Sequence, residues 1–324
     1  MKNRIIELDF LKGVFILLMI TFHLSLIEQQ YPMLRKAVYT FHMSAFLLIS
    51  GYLANVDKQP KPFFKGLSRL LVPYFLFESL YLFMLFFVGK TMHATHSVDT
   101  MNLASWADYV FLNPQGPYWY LHTLSICILV YYLVYRCLKL KDFTAFLFMA
   151  VVLFGLSWVI TRLRWSDVIY FLIGVYVFRN SRGFIEVFKP SAMALFPLCI
   201  LFLFPQNYDR GSLAGVAITA LVVCFLLFLY GKNPASVNHL LCYLGRNSLA
   251  LVVFSPIFTV VTKGMSGIFA FDPTAIIFAV FALVFVVSCC LFAAWICDKL
   301  HISRYIFANE HLYAPFHDQR DGIG

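Results

Sequence analysis

Predominantly apolar runs of membrane-crossing length alternate with short polar breaks along nearly the whole chain. The first runs from Phe10 to Ile27, and others follow at about 37–54, 70–88, 118–135, 143–161 and 166–178. The last four lie at about 190–204, 212–230, 246–262 and 274–297. A helix needs about 20 residues to cross the hydrocarbon core of a bilayer, and these runs are too long and too uniformly apolar for half-buried strands. The pattern predicts an all-α, polytopic integral membrane protein with about ten transmembrane helices in a single bundle. The opening run starts like a signal peptide, after Lys2 and Arg4. It is too long for an h-region, contains His23 and lacks a small-x-small cleavage site, so a retained first helix is expected.

Composition sharpens this picture. Of 324 residues, 61% are apolar and 13% charged, and a soluble fold of this length cannot hide that much apolar surface. A soluble enzyme, a disordered chain, a collagen and a disulfide-stapled secreted domain are all excluded. The formal charge of +9 is explained by loop distribution. With the N-terminus inside, 18 Lys and Arg fall on the cytoplasmic side and seven outside, as the positive-inside rule requires. No nucleic-acid partner is expected, and both termini are cytoplasmic under an even helix count. The partner is the lipid bilayer, and a multi-pass protein of the cell (inner) membrane is expected. The eight cysteines form no CxxC pair and read as reduced packing residues, without a disulfide framework or zinc site. Residues 1–300 form one transmembrane domain in this reading, and 301–324 a cytoplasmic C-terminal tail. The longest outer loop, 89–117, contains apolar positions that suggest a short helix and the turn cluster Asn113-Pro114-Gln115-Gly116-Pro117.

Ionisable residues inside apolar helices are costly and usually face a bundle interior or a watery cavity. Here they are His23, His42, Glu78 and His122, with Asp9, Lys12, Arg69 and Arg246 at cytoplasmic helix ends. The predicted topology puts the three histidines at a similar depth in the outer half of the membrane. They could be separate hydrogen-bonded core histidines, a three-histidine metal site without a spaced pair on one helix, or a site where one imidazole acts as general base. Glu78 either orients an imidazole or is a protonated structural carboxyl. On a continuous helix Lys12 and His23, eleven steps of 100° apart, share a face to within about 20° and are stacked ~16 Å apart. A cation at one end and a base at the other suits a long anionic donor reaching through the membrane, although Lys12 could equally be a snorkelling interface residue. Lys12, Arg69 and Arg246 also match the charge of a phosphate-bearing donor.

The segment Arg4-Ile5-Ile6-Glu7-Leu8-Asp9-Phe10-Leu11-Lys12-Gly13, followed by His23, resembles the opening of the membrane acyltransferase-3 family. That family places Arg or Lys, ten residues and then His in its first helix. The stretch from Phe41-His42-Met43-Ser44 to Ser50-Gly51-Tyr52 is similar to its second-helix signature, close to the fucose 4-O-acetylase-like branch. Arg69-Leu70-Leu71-Val72-Pro73-Tyr74, Trp119-Tyr120-Leu121 and Gly245-Arg246-Asn247-Ser248-Leu249 resemble later signatures, in the right order. This chain departs from many members in having Lys12 for Arg, Gly66 three residues before Arg69, and Phe254-Ser255-Pro256 where a late histidine is common.

The resemblance implies transfer of an acetyl group from cytoplasmic acetyl-CoA, as donor co-substrate, to a hydroxyl of an extracytoplasmic glycan or glycolipid. No metal is expected. It implies His23 as the catalytic base; the placement of ionisable residues within the apolar helices adds His42, His122 and Glu78 as further catalytic candidates. The resemblance implies Lys12 as the paired basic position, and with Arg69, Arg246 and Asn247 at the cytoplasmic helix ends this makes the expected donor-binding set. Some members carry a fused extracellular esterase-like domain, which this chain is expected to lack. The competing reading is a polytopic transporter or flippase for a polysaccharide or small solute, using the intramembrane His and Glu. It expects inverted repeats and paired interrupted helices, and the sequence shows neither.

Overall fold

A computed structural model describes residues 4–88, 102–180 and 182–316 of the chain, and these are helical with no strand among them. In chain order the helices are α1 (Ile6–Thr21), α2 (Ser25–Gln30), α3 (Pro32–Leu53), α4 (Pro60–Val88) and α5 (Leu103–Phe111). They continue as α6 (Trp119–Cys137), α7 (Asp142–Val159), α8 (Trp165–Arg179), α9 (Phe184–Val187) and α10 (Leu195–Phe202). The last are α11 (Leu213–Tyr230), α12 (Ala235–Arg246), α13 (Ser248–Met265), α14 (Ile276–Lys299) and α15 (Ser303–Ile306).

Each of the ten apolar runs falls on a helix. Among the described residues, six helices are long and apolar enough to cross a membrane: α4, α6, α7, α11, α14, and α13 with its 3₁₀ extension to Phe269. The chain is therefore a multi-pass helical membrane protein. The run at 190–204 yields only a 3₁₀ turn, Ala192–Ala194, and the eight-residue α10. The first run is corrected as well. Helix α1 stops at Thr21, and after a turn at 22–24 the chain restarts as the six-residue α2. Helix α12 was not expected, because its twelve residues include Asn238 and His239 and fall well short of a span. Of the loop 89–117, expected on the outer side, residues 89–101 lie outside the described residues. The rest contains the expected short helix, α5, whose start is fixed by a capping box between Asn102 and Ser105.

The helices gather into two compact units. One contains the described residues of 1–49, 181–303 and 310–324. Helix α1 lies at its centre: Leu8, Phe10, Leu11, Phe15, Ile16 and Ile20 are all buried, and α11, α12, α13 and α14 pack around it. A helix with buried positions all round its circumference has no amphipathic stripe. The α1–α12 approach is the tightest. A methyl group on Gly13 would sit 2.0 Å from the Leu241 carbonyl oxygen, and one on Gly245 would sit 1.8 Å from that of Asp9. Only glycine at both positions lets the two backbones touch.

The other unit contains the described residues of 50–180 and 304–309. Helix α6 packs against α4, α7 and α8, burying Tyr131, Tyr170 and Phe171 completely. Gly51, in the last turn of α3, allows the same backbone contact with α8, since its Cβ would lie 2.2 Å from the Phe171 carbonyl oxygen.

Candidate active site

In the first unit, the break after α1 displays His23. The main chain leaves the helix at Phe22, and the His23 Nδ1–H donates to the Met19 carbonyl at 2.6 Å. His42, on α3, makes the same i−4 bond, its Nδ1–H donating to the Val38 carbonyl at 2.8 Å. A carbonyl can only accept, so both rings carry hydrogen on Nδ1, and in the neutral form the lone pair is on Nε2. Access separates them. His23 is exposed, whereas His42 is 2% exposed and its buried Nε2 has no partner. Tyr39 touches both imidazoles, with ring centroids 5.8 Å from His23 and 5.1 Å from His42. Because His23 lies beyond the end of α1, the shared helical face with Lys12 expected from sequence does not extend to it.

At the N-terminal end of α1, Asp9 is buried and holds two cations. Lys12 Nζ lies 2.7 Å from its Oδ1, and Arg4 Nε lies 2.6 Å from its Oδ2. The Gly245 contact with the Asp9 backbone puts the α12–α13 junction beside this group. Arg246 and Asn247 occupy that junction, and residues 312–316 pass over it. Asn247 is fully committed there. Its Nδ2 donates to the Tyr243 and Ala314 carbonyls at 3.0 Å each, and its Oδ1 accepts from Ala314 N–H at 2.9 Å. Arg246 donates to the Pro315 carbonyl at 3.3 Å. Asp298 fixes the same segment by accepting from Leu312 and Tyr313 N–H, each at 2.9 Å. The expected tail thus folds back on the residues assigned to the donor; its residues 317–324 lie outside the described residues.

In the second unit, Glu78 and His122 serve one segment. Glu78 Oε1 accepts from Gln115 N–H at 2.9 Å and Gly116 N–H at 2.7 Å. Its backbone-bonded carboxylate holds the Asn113–Pro117 turn and makes no described bond to an imidazole. Arg162 donates to the Pro114 carbonyl at 3.0 Å, Asn113 Nδ2 donates to Asp108 at 2.9 Å, and Thr161 donates to the Asn113 side chain. Just upstream, the His122 Nε2–H donates to the Phe111 carbonyl at 3.0 Å, and Tyr74 donates to that of Val110 at 2.5 Å. These two side chains satisfy carbonyls that the end of α5 leaves open. His122 therefore has the opposite tautomer to His23 and His42, with a buried Nδ1 lacking a partner. Arg69 lies on α4 with a buried, unpartnered Nε.

Two residues in these surroundings were not singled out from the sequence. Tyr39 reads there as one aromatic among many. Asp167, fully buried in the first turn of α8, could have been found, since it is a carboxylate inside an apolar run. Among the described residues, no three His, Cys, Asp or Glu side chains gather as a metal site, and all eight cysteines are free.

The described residues thus form a many-helix membrane bundle with an exposed imidazole beyond α1 and two cations held on Asp9. The family model Acyl_transf_3, an acyltransferase domain, matches residues 5–295. The chain belongs to the acyltransferase-3 family and is a membrane acyltransferase. Neither a curated protein nor a solved structure shows a match to it.

Proposed function

We propose that the protein is an O-acetyltransferase that moves acetyl from cytoplasmic acetyl-CoA to a hydroxyl of an extracytoplasmic glycan or glycolipid. His23 is its general base. The observation that carries the assignment is the combination of exposure and tautomer at His23: an accessible ring whose Nδ1–H is tied to Met19 and whose Nε2 is left to accept a proton. His42 has the same tautomer but no access.

His23 Nε2 removes the acceptor's hydroxyl proton as that oxygen attacks the thioester carbonyl, forming the ester C–O bond. The tetrahedral adduct collapses with loss of the C–S bond. His23, now imidazolium, returns its proton to the departing CoA sulfur. The products are the acetyl ester and free CoA thiol, with no net proton change. Lys12 supplies charge for the donor's phosphates, with Asp9 fixing its position. Arg246 and Asn247 contribute at the same end once residues 312–316 yield their bonds. In the second unit, Glu78 and His122 hold the 110–117 segment.

The test is mass spectrometry of surface glycans and glycolipids from cells with and without the protein. Loss of an acetyl group from one species in the deletion, restored by the wild type and not by His23→Gln, supports the reading. Identical acetylation in all three refutes it.

A further inference from the structure

The residues Arg35, Tyr39, His42 and Phe46 recur at intervals of four, three and four along α3 and so share one helical face. That face meets α1 and the break beyond it. Phe46 packs on Phe15 with centroids 6.2 Å apart, and Tyr39 reaches His23. The Tyr39 ring is stacked on the His23 imidazole, with planes inclined by 29°. Its hydroxyl donates to the Phe22 carbonyl at 3.2 Å. Phe22 closes α1, and its carbonyl is one of those a helix end leaves without an internal partner. One side chain therefore pins the main chain at the break and braces the imidazole that follows it. The Arg35 guanidinium also lies 5.6 Å from the Tyr39 ring centroid and is ion-paired with Glu28 on α2. The tyrosine ring therefore contacts both the imidazole and a guanidinium.

We infer that Tyr39 is a positioning residue for transfer, holding the His23 imidazole in the orientation that points Nε2 at the acceptor hydroxyl. The inference rests on His23 being the base. It makes Tyr39 act through His23, not on substrate. Two separable components follow: the hydroxyl sets the backbone at Phe22, and the ring sets the plane of the imidazole.

The experiment compares wild type, Tyr39→Phe, Tyr39→Leu and His23→Gln as full-length protein purified in detergent, with activity normalised to folded protein. Acetyl transfer to the native acceptor is followed with acetyl-CoA as donor. Tyr39→Phe keeps the stacked ring and loses one hydrogen bond, so its kcat should fall about fivefold. Tyr39→Leu loses both components, and its kcat should fall on the order of 10²-fold, as expected when a catalytic group is misplaced by about 1 Å. In both variants KM for acetyl-CoA should stay near wild type, a split that general loss of structure would not give. Wild-type kcat in folded Tyr39→Leu, with His23→Gln inactive, overturns the positioning role and leaves the base in place. Should Tyr39→Leu not fold, Tyr39→Phe decides alone, and an unchanged kcat there overturns the role. Turnover retained by His23→Gln overturns the base assignment and the positioning role together.

Discussion

Replacing Gly245 by alanine tests the packing on which the α1 end of the site depends. The added methyl would lie 1.8 Å from the Asp9 carbonyl oxygen, 2.7 Å from its carbon and 3.0 Å from the Gly13 nitrogen. All three are backbone atoms, so no flexible side chain can swing aside. Overpacking a well-packed interior costs about 1–3 kcal/mol, and more where the neighbours cannot move, so a loss of at least about 3 kcal/mol is expected. In chains of a couple of hundred residues each kcal/mol moves Tm by roughly 2–4 °C, and the melt should fall by at least roughly 6–12 °C. Intrinsic-fluorescence melting of detergent-purified protein reads this directly. Gly66 on α4 and Gly155 on α7 are internal controls, since nothing lies within 4 Å of a Cβ at either. Alanine there should be neutral or stabilising by about 0.5–1 kcal/mol, from backbone entropy alone. Because Asp9 carries Lys12, any Gly245→Ala protein that survives should also bind acetyl-CoA more weakly. Gly245→Ala melting together with wild type would refute the backbone contact and the donor-end geometry built on it.

Two further substitutions separate donor contacts from scaffold. Lys12→Ala should raise KM for acetyl-CoA more than it lowers kcat, because a phosphate contact acts in ground state and transition state alike. Lys12→Arg should keep most of the activity, and an unchanged KM in Lys12→Ala would leave Lys12 as an interface residue only. Glu78→Gln retains a carbonyl oxygen for the Gln115 and Gly116 N–H groups and should melt near wild type. Glu78→Ala leaves both donors unpaired and should lose roughly 2–4 kcal/mol of stability. Equal melts for these two variants would show that Glu78 does not hold the turn.

The helical membrane class was legible because long apolar runs leave few alternatives, and His23 and His42 stood out because imidazoles are rare in such runs. The break at Phe22 was not legible. Phe22, Leu24 and Ile27 continue the apolar pattern, and no glycine or proline marks the turn. Helix α12 escaped for the opposite reason: it is held by Gly245 against Gly13, a contact between residues more than 200 positions apart, and not by its own apolar content. Glu78 was recognised as an isolated carboxylate, but a residue name cannot reveal that its partners are two backbone N–H groups. Asn247 was reached through a motif, whereas its bonds to Ala314 depend on how the C-terminal segment returns to the bundle. Tyr39 went unread because an aromatic on a packed helical face has no distinguishing local signal.

The central claim is that His23 is the base, and His23→Gln measures it most directly. Glutamine can keep part of the hydrogen bonding at Met19 but cannot take a proton near neutral pH. The purified variant should fold and bind acetyl-CoA close to normally while kcat for acetyl transfer falls on the order of 10²–10⁴-fold. His42→Gln, assayed beside it, should retain most of its turnover per folded molecule. A His23→Gln enzyme with near wild-type kcat, or a His42→Gln enzyme that alone loses turnover, would contradict the account.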